Sequence, residues 1–260
     1  MKITKKLTII GIGHKSKTDN VDGATKISGN LYFNQGSSGS SVMGCYITGN
    51  IYIGYDKTSV NDILIRYCNT NYIYINNTTC LGTVVNQNYI RSSLFADNAA
   101  AEITNNVVYR IHKVNGGFIA NNIITWSNSS NYALDEVSNS VITGNIILPL
   151  SYPGGSISSN SKLGNMGFCQ ISNDEEFIDM RNIDRDSVFV NYNSGKIDPS
   201  SDFHFKEAYK QYESQVGVYA GDGFKDEQTA PVPYIVAKRV DTETDASGKL
   251  NVKIRVKAGQ

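Results

Sequence analysis

Cleaving a sugar or moving a proton takes carboxylates, or a base beside an acid, held within a few ångströms of one another. Between residues 27 and 148 the chain offers only six acids: Asp56, Asp62, Asp97, Glu102, Asp135 and Glu136. Only Asp135 and Glu136 are adjacent, and their surroundings read as a solvated loop between strands. Arg110 and His112 stand at i and i+2 with Lys113 beside them, so on a strand they share a face. A base or anion site is one reading of that pair. An exposed charged face is preferred, because no nearby carboxylate orients the imidazole. The acid-rich stretch NDEEFIDMRNIDRD (173–186) has the oxygen donors Ca²⁺ favours but lacks the spaced Asp-x-Asp-x-Asp-Gly pattern. It suits a short helix capped by Asn173, with Asp174, Glu175 and Glu176 in the first turn. Hence no cofactor is expected, and Ca²⁺ is the one metal considered.

Cys45, Cys68, Cys80 and Cys169 show no CxxC spacing and read as buried thiols acting as small hydrophobes. His14 and His204 have no evident partners. GxSxG, HExxH and P-loop patterns are absent from the sequence, and Gly11-x-Gly13 reads as a strand end.

The aromatic residues give a better lead. Tyr32, Tyr52 and Tyr74 sit between apolar neighbours in LYF, IYI and IYI. If Ile51 and Ile53 point inward, Tyr52 points outward. Stacked on neighbouring strands about 4.8 Å apart, the three rings would form a strip roughly 10 Å long. Such a strip could receive the C–H faces of sugars; ordinary outer-face stacking, or cover by a loop, is the plainer reading. Trp126 is a second aromatic candidate.

These residues need a scaffold, and a repeat supplies it. Apolar-x-x-Asn-apolar-apolar recurs at Asn30, Asn50, Asn88, Asn106, Asn122 and Asn145, with a weaker copy at Asn71. The flanking IYI, VVY and NIIL are short and β-branched, and Gly-Asn, Asn-Asn and Asn-Gly-Gly mark turns. Helical repeats run longer, about 33 to 47 residues, and leucine-rich repeats need a Leu consensus this chain lacks. The pattern therefore predicts an all-β, single-stranded parallel β-helix of seven or eight rungs. The seven asparagines would stack as one ladder at one corner, each easing a left-handed bend.

With I-T-N-N-V-V, I-A-N-N-I-I and I-T-G-N-I-I in view, the chain resembles right-handed parallel β-helix proteins of the pectin-lyase-like superfamily, of bacterial secreted and surface type. KKLTIIGIG is similar to an early rung of that type. DSVFVN (186–191), DFHFK (202–206) and VGVYAGDGF (216–224) resemble its closing stretch, although EAYKQYESQ stands where relatives carry a Ser-Pro-Ala segment. The resemblance covers about residues 5–225 and implies a fold rather than an activity, since the superfamily holds lyases, hydrolases, epimerases, adhesins and inert scaffolds.

Three regions follow: rungs over 1–165, an irregular closing segment packed on them over 166–225, and a linker with a β-hairpin over 226–260. The hairpin pairs Tyr234–Val240 with Leu250–Val256; alone it is marginal, so it should pack on the helix or meet a partner. The formal net charge is zero with no long basic run, which sets nucleic acid aside as a partner. No segment reaches the roughly 20 apolar residues of a membrane helix, and MKITKKLTIIGIG reads as a strand rather than a signal peptide. The expected function is a non-catalytic scaffold, secreted or at the cell surface, binding a polysaccharide or cell-surface glycan. The alternatives are a polysaccharide lyase or glycoside hydrolase with loop-borne acids, and an assembly or adhesin module. Oligomeric state is left open.

Overall fold

The computed structural model describes residues 1–13, 25–125, 132–149, 157–158, 160–169, 173–192, 197, 201–224, 234–240, 243–244 and 247–257. Short strands wind into a parallel β-solenoid of about six turns. Each coil has three faces. The first is an eight-stranded sheet running from Thr8–Ile10 through Leu64–Arg66 to Ser161–Leu163. The second holds Cys45–Ile47, Asn69–Thr70, Ile123–Ile124 and Ile146–Ile147. The third holds Leu31–Phe33, Ile51–Ile53, Ile73–Ile75 and Leu134–Asp135. Tyr89–Ala99 and Val107–Val114 run across the second and third faces without a break. Beyond Leu134–Asp135 no strand among the described residues continues the third face, and the solenoid has about six turns where seven or eight rungs were expected.

Alternation explains the core. In Leu31–Phe33, Ile51–Ile53 and Ile73–Ile75 the outer two residues are buried and the central tyrosine is half-exposed. Ile and Val from successive coils stack inside as one continuous cluster, which no single coil could bury alone.

The asparagines lie at two corners rather than one. Asn88, Asn106, Asn122 and Asn145 are fully buried between the first and second faces. Each side-chain amide donates to the next coil's amide oxygen, at 3.0, 3.0, 2.9 and 2.9 Å, and the chain continues to Asn165. It ends at Asp174, whose carboxylate accepts from the Asn165 amide at 2.7 Å and from the Gly164 and Asn165 N–H groups. A carboxylate only accepts, so it stops the ladder. The expected helix at Asn173–Glu176 is a turn instead, with Asn173 at φ +57°. The described α-helix is Arg185–Val188, capped by Asp184.

Asn30, Asn50 and Asn71 stand at the corner between the second and third faces, partly exposed. The Asn30 side-chain oxygen accepts from the Asn50 N–H at 2.9 Å, and the Asn71 amide donates to Asn50 Oδ1 at 3.1 Å. Traced toward the N-terminus, the buried ladder's column instead holds Cys68, Cys45 and Thr25. The Cys68 N–H donates to Asn88 Oδ1 at 2.8 Å. Burial pushes the Cys45 thiol up to about 11 and raises Cys68 further, so both act as small apolar residues.

The left-handed bend also belongs to a different residue. Gly44, Tyr67, Gln87, Asn105, Asn121, Gly144 and Gly164 carry φ between +54° and +66°, and each immediately precedes its ladder position. The ladder asparagine supplies hydrogen bonds, and its predecessor supplies the turn.

The segment after residue 188 folds back over the second face. Tyr89, Val107, Ile123, Ile146 and Met166 point outward there in one register column. They form a second core with Phe189, Phe203, Phe205, Val216, Val218 and Phe224. Side chains of the bend residues hold this strap. The Gln87 amide donates to the Gly223 carbonyl at 2.6 Å, and the Asn105 amide to the Ala220 carbonyl at 2.8 Å. Near the C-terminus, Tyr234–Val240 pairs antiparallel with Val252–Lys257. Leu250, Val252, Ile254 and Val256, at every second position, are all exposed.

Candidate functional site

Among the described residues no strap covers the outer column of the third face. Register aligns Lys2, Tyr32, Tyr52, Tyr74, Phe95, His112 and Asp135. Tyr74 therefore stands directly over Tyr52, whatever offset Asn71 takes. Ring centroids are 4.9, 5.0 and 5.3 Å apart along Tyr32–Tyr52–Tyr74–Phe95, with planes within 6 to 7° of parallel. Rings that close and that parallel must overlap face to face, since side-by-side rings need more than 6 Å. Their faces are occupied by one another, and the strip shows solvent its edges and hydroxyls. Two hydroxyls are tied back by the Asn30 and Asn50 amides at 2.9 Å each.

A flat platform exists nearby, on Tyr55. Its ring lies 5.1 Å from both Tyr32 and Tyr52, at 67° and 68° to them. The faces of Tyr32 and Tyr52 are already stacked, so Tyr55 lays one of its own faces across their edges. The residue is 55% exposed, more than any ring of the strip. Tyr72 flanks the strip farther along, 5.4 Å from Tyr74.

The column's far end is charged. Arg110 and His112, each 9% exposed, are buried rather than the open charged face expected. Arg110 donates to Asp135 Oδ2 at 3.0 Å and sits 5.8 Å from the Phe95 ring centroid. His112 Nε2 lies 2.9 Å from Glu136 Oε1 and 3.4 Å from Asp135 Oδ2, and the imidazole meets Phe95 edge-on. Lys113 approaches Glu136 at 3.8 Å. The His112 hydrogen bond, helped by Lys113, holds the Glu136 carboxyl below the ordinary glutamate range. Glu136 takes φ +49°, and Asp135 and Glu136 both reach the cluster. The carboxylates read as a solvated loop are thus the partners that His112 lacked on paper.

Imidazole and carboxylate donor atoms here lie within 4.8 Å of one another, close enough to share a cation. The charge balance argues against one. Two carboxylates already face two permanent cations, Arg110 and Lys113. A liganding Nε2 would also move the proton to Nδ1, which is buried with no hydrogen-bond partner. The acid-rich stretch is no better a Ca²⁺ site: Asp174 ends the ladder, Asp179 is held down to about 2 by Arg181, and Asp184 caps a helix.

The structure thus joins Tyr32, Tyr52 and Tyr74 in one strip and places Arg110 and His112 at its end. Trp126 and His14 lie outside the described residues. Tyr55, Phe95, Asp135 and Glu136 join the site unexpectedly. Phe95 alone was signalled, because it continues the 20- and 22-residue tyrosine spacing by another 21. No described helix is long and apolar enough to cross a membrane. Comparison with family models, curated proteins and solved structures finds no match to the chain.

Proposed function

We propose that this protein is a non-catalytic β-helix scaffold that binds a glycan on its third face. Within this reading it is secreted or displayed at a bacterial cell surface and belongs with the pectin-lyase-like β-helices. The observation that carries the reading is Tyr55. A half-exposed ring spread across a rigid tyrosine stack presents a flat, pre-ordered apolar surface, and its ordering entropy is met in folding rather than in binding. Sugar C–H groups match such a surface. The edge-on strip and its asparagine-tied hydroxyls then line the path toward His112.

A glycan array tests this. Tyr55→Ala should abolish retention and lower the melting temperature only slightly, because the ring is largely exposed and touches the strip only through two edge contacts. Undiminished retention by Tyr55→Ala sinks the reading.

A second reading is a carbohydrate-active enzyme using loop-borne acids. It is favoured by the convergence of Asp135 and Glu136 on His112 at the end of the strip. It predicts new unsaturated or reducing sugar ends from a polysaccharide panel, lost in Asp135→Asn. A panel without turnover removes it.

A further inference from the structure

We infer that the glycan is acidic, and that Arg91 reads its carboxylate or sulfate groups at the corner where the second face meets the third. The inference rests on the glycan reading above and adds the charge class of the ligand.

Arg91 follows the strand pair Tyr89–Ile90 and reaches back across two coils. Its guanidinium donates to the Asn69 side-chain oxygen and to the Ile47 carbonyl at 3.1 Å. It lies 5.0 Å from the Tyr46 ring centroid. Every one of these partners is neutral. Among the described residues no carboxylate pairs with Arg91, although the side chain is half-buried. Burial holds its pKa below the usual guanidinium value, with only the Tyr46 phenol opposing. Arg110 and Lys113, farther along the third face, differ: they are matched by Asp135 and Glu136.

Arg91 also has company. Lys26 and Tyr46 are register partners on the outer second face, and Asn69 is next in line. Lys26 is exposed. Arg66 stacks on Tyr67 at 4.7 Å, and its Nε–H donates to the Gln87 side-chain oxygen at 3.1 Å. Neither Lys26 nor Arg66 has a carboxylate partner among the described residues. Among the described residues the closing strap reaches the Tyr89 coil and no farther: Phe224 meets Tyr89, and the Asp222 carbonyl accepts from the Gln87 amide. Among the described residues, the second face and its two corners thus carry three unmatched cations: Lys26 on the face, Arg91 at the corner with the third face and Arg66 at the corner with the first, both guanidiniums laid on tyrosines.

A guanidinium fixed by stacking and carbonyl hydrogen bonds has its remaining N–H groups pre-aimed. That geometry suits the planar, two-pronged recognition of an acid group. Thr48, whose carbonyl Arg91 also meets at 3.4 Å, precedes Ile51–Ile53, and Tyr55 follows that strand. The cation and the platform therefore bracket one strand of the third face, a span that a short glycan chain covers.

Dextrans that share one backbone and differ in charge separate the two ideas. Retention should rise from neutral dextran to carboxymethyl-dextran or dextran sulfate and fall with added salt; the two charged forms tell carboxylate from sulfate. Arg91→Gln should weaken retention on the preferred charged dextran roughly tenfold, the scale of losing a charge-assisted contact. Arg91→Lys should recover only part of it, and Arg255→Gln, an exposed arginine of the C-terminal hairpin, should change nothing. Equal retention of neutral and charged dextrans overturns the inference, as does an unaffected Arg91→Gln or an equal loss in Arg255→Gln. If Arg91→Gln also lowers the melting temperature, the ratio of charged to neutral dextran retention, measured where both proteins are folded, decides: a loss equal on the two dextrans leaves only a structural role and overturns the inference. Failure of the glycan reading has a separate signature, unchanged retention of Tyr55→Ala across the whole array.

Discussion

The second and third faces are cut from the same short strands around the same core, yet their outer columns end differently. The second face carries Tyr89, Val107, Ile123, Ile146 and Met166 outward, and the chain covers them with its own closing strap. The third carries Tyr32, Tyr52, Tyr74 and Phe95 outward and leaves them open. An aliphatic column gains only by leaving water, so it requires a cover. A stacked aromatic column gains by ring contact within itself and keeps hydroxyl rims that tolerate water. The covered face contributes stability, and the open one is free to bind.

The largest break in that symmetry should come from trimming one residue on each face. Ile123→Ala opens a cavity beneath the strap, where the side chain is fully buried, and should cost about 2–5 kcal/mol in urea unfolding. Tyr52→Ala on the open face removes one ring from a stack that water already reaches and should cost about 1 kcal/mol. Equal losses would mean that the strap adds nothing to the solenoid.

The two asparagine corners sharpen the same contrast. Asn106→Ala strands the Val85 carbonyl and the Asn88 backbone N–H in a dry interior and should cost about 2–4 kcal/mol. Asn50→Ala unties Tyr52 and Asn71 where solvent can replace it, so less than about 1 kcal/mol is expected. Comparable values would show that both corners are equally dry.

The sequence conveyed the coil but blurred its corners, for a physical reason. Apolar-x-x-Asn-apolar-apolar describes any bend that leads into an inward-facing strand, and each coil has more than one such bend. Asn50 and Asn106 therefore look alike in the chain and lie apart in space. The ladder's early coils were hidden because cysteine replaces asparagine at Cys45 and Cys68. The tyrosine strip was legible because period-2 alternation fixes which way Tyr52 points. The orientation of its rings was not, since it follows from strand spacing and not from residue type. Arg110 and His112 were recognised as neighbours, but Asp135 and Glu136 arrive from the next coil, so no local spacing pairs them.

The smallest expected effect concerns that charged end of the open face. Glu136 has its pKa lowered by the His112 hydrogen bond. A carboxylate depressed on folding stabilises the fold above its unfolded value, about 4.3 for glutamate, and that contribution disappears as pH falls through the lower folded value. Half-exposed as it is, the side chain should shift the melting temperature only slightly. Wild type should melt just above Glu136→Gln at neutral pH, the two should converge as the solution is acidified below about pH 4, and the pair should coincide once the carboxylate is protonated. A difference that persisted in acid would belong to packing rather than charge. A difference absent at neutral pH would detach Glu136 from His112 and leave the third face's column ending at Asp135.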